Sequence, residues 1–230
     1  MNTLKATCRE IFSRPSTGIL LAFIAVALIA GPIMVAALLG PNGTNTIDPA
    51  MLLIPANFML PVALGAGAFP SGGAHSRGTI GYAYLASNHR GKELACRVGV
   101  AALACTLTAF AASGIGIGGS HMFIDGIAAM GAESTSMVLA QVKLWIVYPL
   151  LAALSAVALG SGTASFFVWI VESLIVETAL GAVNQPWANA IHNILPGGAA
   201  NNTAGTITLV IWVAALAAVA YATANRRAVK

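Results

Sequence analysis

The chain is 230 residues long, 58% apolar and 8% charged, with a net charge of +4. A soluble domain carries about 25% charged residues, so this composition excludes a water-exposed globular enzyme. The few charges fall between hydrophobic runs of about 20 residues, the length an α-helix needs to cross a hydrocarbon core. An all-α, polytopic membrane protein is therefore expected.

Residues 1–17 read as an amphipathic interfacial helix. Leu4, Cys8, Ile11 and Phe12 share a face at helical spacing, whereas Lys5, Arg9 and Glu10 lie elsewhere. Such a helix would rest in the headgroup layer and enter the first span through a turn at Pro15-Ser16. A disordered basic leader is the alternative.

Residues 18–230 form a transmembrane domain with six candidate spans: Gly18–Leu39, Met51–Phe69, Val98–Gly118, Val138–Leu159, Ala164–Val183 and Thr206–Thr223. Helices satisfy their own backbone donors and acceptors inside lipid. The first run, at about 22 residues, exceeds the 7–15 of a signal-peptide core, and a retained span is expected.

With the N-terminus in the cytosol, the inner segments hold Lys5, Arg9, Arg14, Arg77, Arg90, Lys92, Arg97, Arg226, Arg227 and Lys230, ten of the eleven Lys and Arg. Lys143 alone falls towards the outer side. The positive-inside rule then places both termini in the cytosol. The excess charge faces anionic lipid headgroups, and nucleic acid is not expected as a partner.

The longest inner stretch is residues 70–97. It opens with Pro70-Ser71-Gly72-Gly73, which reads as flexible. An apolar and aromatic patch follows, Ile80, Tyr82, Tyr84 and Leu85, bracketed by Arg77 and Arg90. The patch suits either a docking surface for another protein or an ordinary loop whose tyrosines sit in the membrane interface.

On the outer side, residues 184–202 form a candidate re-entrant segment. Asn184-Gln185-Pro186 is a helix start, Trp187, Ile191 and Leu195 repeat every four residues, and Pro196-Gly197-Gly198 is expected to stop the helix. A surface loop with a Trp anchor is the alternative.

Chemistry-bearing motifs are few. The pair Gly91-Lys92 is followed by Glu93 and does not complete a phosphate-binding P-loop. The run Gly114-Ile115-Gly116-Ile117-Gly118-Gly119 is read as a close helix-packing surface. His75, His89, His121 and His192 share no ligand spacing, so no metal site is expected. No cofactor is assigned to the chain.

Three charges lie inside spans: Lys143, Glu172 and Glu177. A charge at the bilayer centre costs about 2.5–3.5 kcal/mol and demands a partner, a proton or water. Glu172 and Glu177 are separated by about 140° on an α-helix and are not expected to form a dyad. Lys143 and Glu177 lie at similar depths, about 7.5 and 10 Å at 1.5 Å per residue, and are expected to pair between antiparallel spans. The alternative has Lys143 snorkelling outward and Glu177 protonated.

Taken in order, the basic leader, the segment Arg77-Gly78-Thr79-Ile80 with Leu85-Ala86-Ser87 and Arg90, and Glu177 followed by Leu195-Pro196 resemble the type-two (ABC-2) membrane permease subunits of ATP-binding-cassette exporters. The chain departs from the family's acidic residue before the glycine–threonine pair, offering Gly73-Ala74-His75-Ser76-Arg77. The resemblance covers nearly the whole chain and implies half of a transporter. A second half, identical or related, would complete it, and separate P-loop ATPase subunits would bind ATP-Mg and dock on Arg77, Gly78, Thr79, Ile80, Tyr82, Tyr84, Leu85 and Arg90. It further implies a bacterial cell-membrane permease that is not itself an enzyme and moves an amphiphilic or apolar cargo (peptide, drug or lipid). The competing reading from the residues is a proton- or ion-coupled secondary transporter that titrates Glu172 or Glu177.

Overall fold

The computed structural model describes residues 3–39, 46–76, 90–124, 126–128, 131–183, 185–202 and 204–227. It is all-α apart from a two-residue parallel pairing of Thr46–Ile47 with Gly126–Ile127. Six helices are long and apolar enough to cross a membrane: Pro15–Leu39, Pro49–Gly73, Gly91–Ser120, Ala132–Leu159, Gly162–Ala182 and Gly205–Arg226. Their outward faces present large apolar side chains such as Ile19, Phe23, Leu103, Leu107, Val210 and Ile211. Water would penalise that surface and lipid does not. The protein is a multi-pass membrane protein.

In chain order the helices are α1 (Thr3–Phe12), α2 (Pro15–Leu39), α3 (Pro49–Leu52), α4 (Ile54–Ser76), α5 (Arg90–Ser120), α6 (Ala132–Leu159), α7 (Gly162–Ile170), a π-helical segment (Val171–Val176), α8 (Glu177–Ala182), α9 (Pro186–His192), α10 (Pro196–Ala200) and α11 (Gly205–Arg227). Helix α6 is the central post, packed against α4, α5, α7 and α11. Along it Tyr148, Leu151, Ala152, Ala153 and Ala156 are almost fully buried.

Prolines and small residues explain the tight contacts around that post. Pro149 has no N–H, so the Trp145 carbonyl four residues earlier loses its helical donor. The Thr106 hydroxyl of α5 replaces it at 3.0 Å, which keeps a buried carbonyl satisfied inside the bundle. Gly67 lets α4 run against the Pro149 backbone, where any Cβ would overlap the carbonyl. Gly116 meets the backbone of Leu28 and Ile29 on α2 in the same way, so part of the glycine run does serve close packing.

Two expectations for residues 70–97 are corrected. Pro70-Ser71-Gly72-Gly73 is not flexible: it is the last part of α4, and Gly72 lies against the backbone of Ser161 and Gly162. Small size at these positions serves helix contact. Residues from Arg90 onward are not loop either, because they form the first turns of α5.

Helix α1 forms as expected, but its inner face is made by Thr7 and Ile11, while Leu4 and Phe12 are exposed. Glu10 turns inward and bonds Arg97 of α5 at 2.6 Å, and it also pairs with Arg14. Arg97, 1% exposed, takes a second carboxylate from Glu93 at 3.3 Å. Burial acts to raise the Glu10 pKa, but the Arg97 hydrogen bonds and charge, aided by Arg14, outweigh it and hold the carboxyl below its ordinary 4.5. The chain breaks at Ser13-Arg14, and Pro15 starts α2.

Candidate functional site

At the end of the bundle opposite α1, the fifth span is interrupted. Between α7 and α8 the hydrogen bonding steps from i→i+4 to i→i+5, and the Glu177 N–H donates to the Glu172 carbonyl. This register stacks residue i+5 above residue i. Glu172 and Glu177 therefore come to one face, which corrects the expectation that 140° separates them. Both converge on the Tyr148 hydroxyl of α6, with Oη 3.1 Å from Glu177 Oε2 and 3.4 Å from Glu172 Oε2. Tyr148 stands edge-on to Trp169.

Glu177 also reaches into the connection between the fifth and sixth spans. Its Oε1 accepts the Gly197 N–H at 2.5 Å, at the start of α10. A Cβ at residue 197 would fall on the Glu177 carboxyl and displace it from this bond. Pro196 begins α10, whereas a helix stop was expected; α9 has already ended at His192. A proline at a first helical position costs nothing, since that N–H has no intrahelical partner. Residues 186–200 thus form a helical hairpin with Pro196–Ala200 buried and Trp187 and Ile191 exposed. Trp212 Nε1 fastens it to α11 through the Ile194 carbonyl at 2.8 Å.

The expected ion pair between Lys143 and Glu177 is absent. Lys143 Nζ donates to the carbonyls of Ala200 and Asn202 at 3.2 and 3.1 Å. The two charges bind opposite ends of α10: the carboxylate takes an N–H at its start and the ammonium takes carbonyls at its finish. This follows from the donor and acceptor inventory of a helix, whose first N–H and last C=O groups lack partners. The ion pairs among the described residues join Glu10, Arg14, Glu93 and Arg97 at the α1 end.

Glu177 borders a cavity of about 470 Å³, within the range of small-molecule sites. Its walls come from the α3–α4 turn, α6, the interrupted fifth span and the hairpin. They are apolar at Leu53, Met137 and Leu144 and polar at Gln141, Glu177 and His192. Gln141 Nε2 and His192 Nδ1 are buried without a hydrogen-bond partner among the described residues. Sequence reasoning singled out Glu177 but missed Tyr148 and Gln141, ordinary residues of an apolar run. Polar residues inside spans, Gln141 and Asn57, were the signal that could have flagged the cavity.

The remaining candidates are placed as follows. Arg77, Gly78, Thr79, Ile80, Tyr82, Tyr84 and Leu85 lie outside the described residues, and Arg90 is the first residue of α5. Ser165 bonds the Ser155 hydroxyl and the Ala152 carbonyl and ties α7 to α6. Among the described residues no group of three or more His, Cys, Asp or Glu could hold a metal. No protein-family model, curated protein or solved structure matches the chain.

Proposed function

We propose that this protein is the transmembrane permease subunit of an ATP-binding-cassette exporter, moving an amphiphilic or apolar cargo across a bacterial cell membrane. A second permease half completes the pathway. Separate P-loop ATPase subunits bind ATP-Mg and supply the energy, so this chain is a transport subunit and not an enzyme.

The observation that carries this reading is the hairpin between the fifth and sixth spans, bound to the fifth span through Glu177 and Gly197. It agrees with the resemblance drawn from Glu177 and Leu195-Pro196. The amphipathic α1, pinned to α5 by Glu10 and Arg97, gives the opposite end a rigid shelf. Closure of an ATPase pair against that shelf would bias the bundle between its two openings.

Purification of the full-length protein from its native membrane tests the reading. A stoichiometric P-loop ATPase, identified by mass spectrometry, is expected to accompany it, and cargo export is expected to require ATP. Replacing Ile80, Tyr82 and Leu85 together by Asp is expected to release the ATPase. Unchanged ATPase recovery from that variant would reject residues 77–90 as the docking surface.

One observation favours a second reading. Two carboxyls on one face of a span, meeting a phenol from the neighbouring span, are a feature of proton- or ion-coupled carriers. Transport that proceeds without any ATPase and dissipates with a proton gradient would establish that reading in place of the first.

A further inference from the structure

We infer that the cavity beside Glu177 binds the amino-terminal end of a peptide-like ligand: an ammonium group on the Glu177 carboxyl, with the neighbouring amide carbonyl on Gln141. The inference rests on the transport reading and narrows its cargo from amphiphile in general to peptide.

Three features of the cavity select this chemistry. The first is charge. Glu177, 9% exposed, meets the cavity without a cation opposite it, and Glu172 adds a second carboxyl behind Tyr148. Lys143 is turned to the hairpin carbonyls. His192 is the other titratable group on the cavity wall, and no described Lys or Arg lines it. A ligand ammonium supplies the missing positive charge, and carboxylate–ammonium contacts are the strong kind of hydrogen bond.

The second feature is an unmatched donor. Gln141 is 8% exposed, and its Nε2 lacks an acceptor. A buried donor left unpaired is destabilising, so a ligand that brings a carbonyl relieves that penalty on binding. An alkylamine has no such acceptor, whereas a peptide N-terminus carries one next to its ammonium. The third feature is the apolar side made by Leu53, Met137 and Leu144, which receives apolar side chains.

The hairpin places these groups. Gly197 N–H and Tyr148 Oη each occupy one oxygen of Glu177, which fixes the carboxyl plane while each oxygen keeps a second lone pair for the ligand.

Equilibrium binding of radiolabelled Leu-Ala-Leu-amide to the full-length protein in lipid nanodiscs, with empty nanodiscs subtracted, tests the site. Saturable binding is expected, and Nα-acetylation of the peptide is expected to weaken it at least tenfold. That change removes the ammonium without touching the protein. Glu177→Gln keeps an acceptor for Gly197 and is expected to reduce affinity for the free peptide about tenfold, with little further effect on the acetylated form. Gln141→Leu is expected to weaken both peptides several-fold. Equal affinity for free and acetylated peptide, or no saturable binding above empty nanodiscs, would overturn the inference. Failure to recover an ATPase while peptide binding persists would remove the exporter reading and leave the site standing.

Discussion

Tyr148 and Glu10 show how single side chains hold the two ends of the molecule. Tyr148, 1% exposed, gives one hydroxyl to two carboxyls of the fifth span. Tyr148→Phe leaves those carboxyls short of a donor, at a cost of about 1–3 kcal/mol, and should lower the thermal midpoint in detergent by a few degrees. An unchanged midpoint would mean the hydroxyl contributes nothing. At the other end, the Glu10 pKa is lower in the folded protein than the ordinary 4.5. Its contribution is complete above about pH 4.5 and is lost as pH falls through the folded value. The amide protection of α1, taken relative to the intrinsic exchange rate at each pH, should therefore fall at acid pH, and Glu10→Gln should show low protection at both neutral and acid pH. Retention of the pH response in that variant would assign it to another group.

Among elements, the departures from regular helix decide the architecture. The exchange of the missing Pro149 N–H for the Thr106 hydroxyl predicts that Thr106→Val, close in shape, destabilises the α5–α6 contact by about 1–3 kcal/mol. Thermal unfolding checks this, and a neutral substitution would contradict it. The π-helical segment behaves as one residue inserted into an α-helix. Deleting the exposed Leu174 should restore the i→i+4 ladder and leave Glu172 and Glu177 four apart, still on one face. The variant is expected to fold and to keep the Glu177 bond to the hairpin; loss of folding would show that the extra residue is needed. The six spans were legible because apolar run length reports directly on bilayer thickness. The π-helical register was not, since it depends on how the fifth span packs on α6 and leaves no composition signal. For the same reason the carboxyls at 172 and 177 were read as facing apart. Lys143 and Glu177 were rightly picked out as charges needing partners. Sequence depth alone could not say that each partner was backbone of the same short helix.

Considered as a single object, the protein is polarised. Helix α1, the start of α2, the start of α5 and the end of α11 meet at one end, as the Glu10–Arg97 pair and the approach of Gly91 to Tyr221 show. That end collects Lys5, Arg9, Arg14, Lys92, Arg97 and Arg226, while Asp48 and Glu133 lie at the other. Basic residues of this kind favour the inner face of a membrane. The hairpin and the 470 Å³ cavity sit at the far end, separated from the basic end by the length of the bundle.

Six crossings with the basic ends together can be tested by labelling single cysteines from one side of a sealed membrane. Leu4→Cys, Met122→Cys and Arg226→Cys, each in a chain whose Cys8, Cys96 and Cys105 are replaced by Ala, would be exposed to a thiol reagent that cannot cross the bilayer. Residues 4 and 226 should react together from one side, and residue 122 only from the other. Labelling of 4 and 226 from opposite sides would mean an odd number of crossings and would contradict the arrangement from which every functional argument above is built.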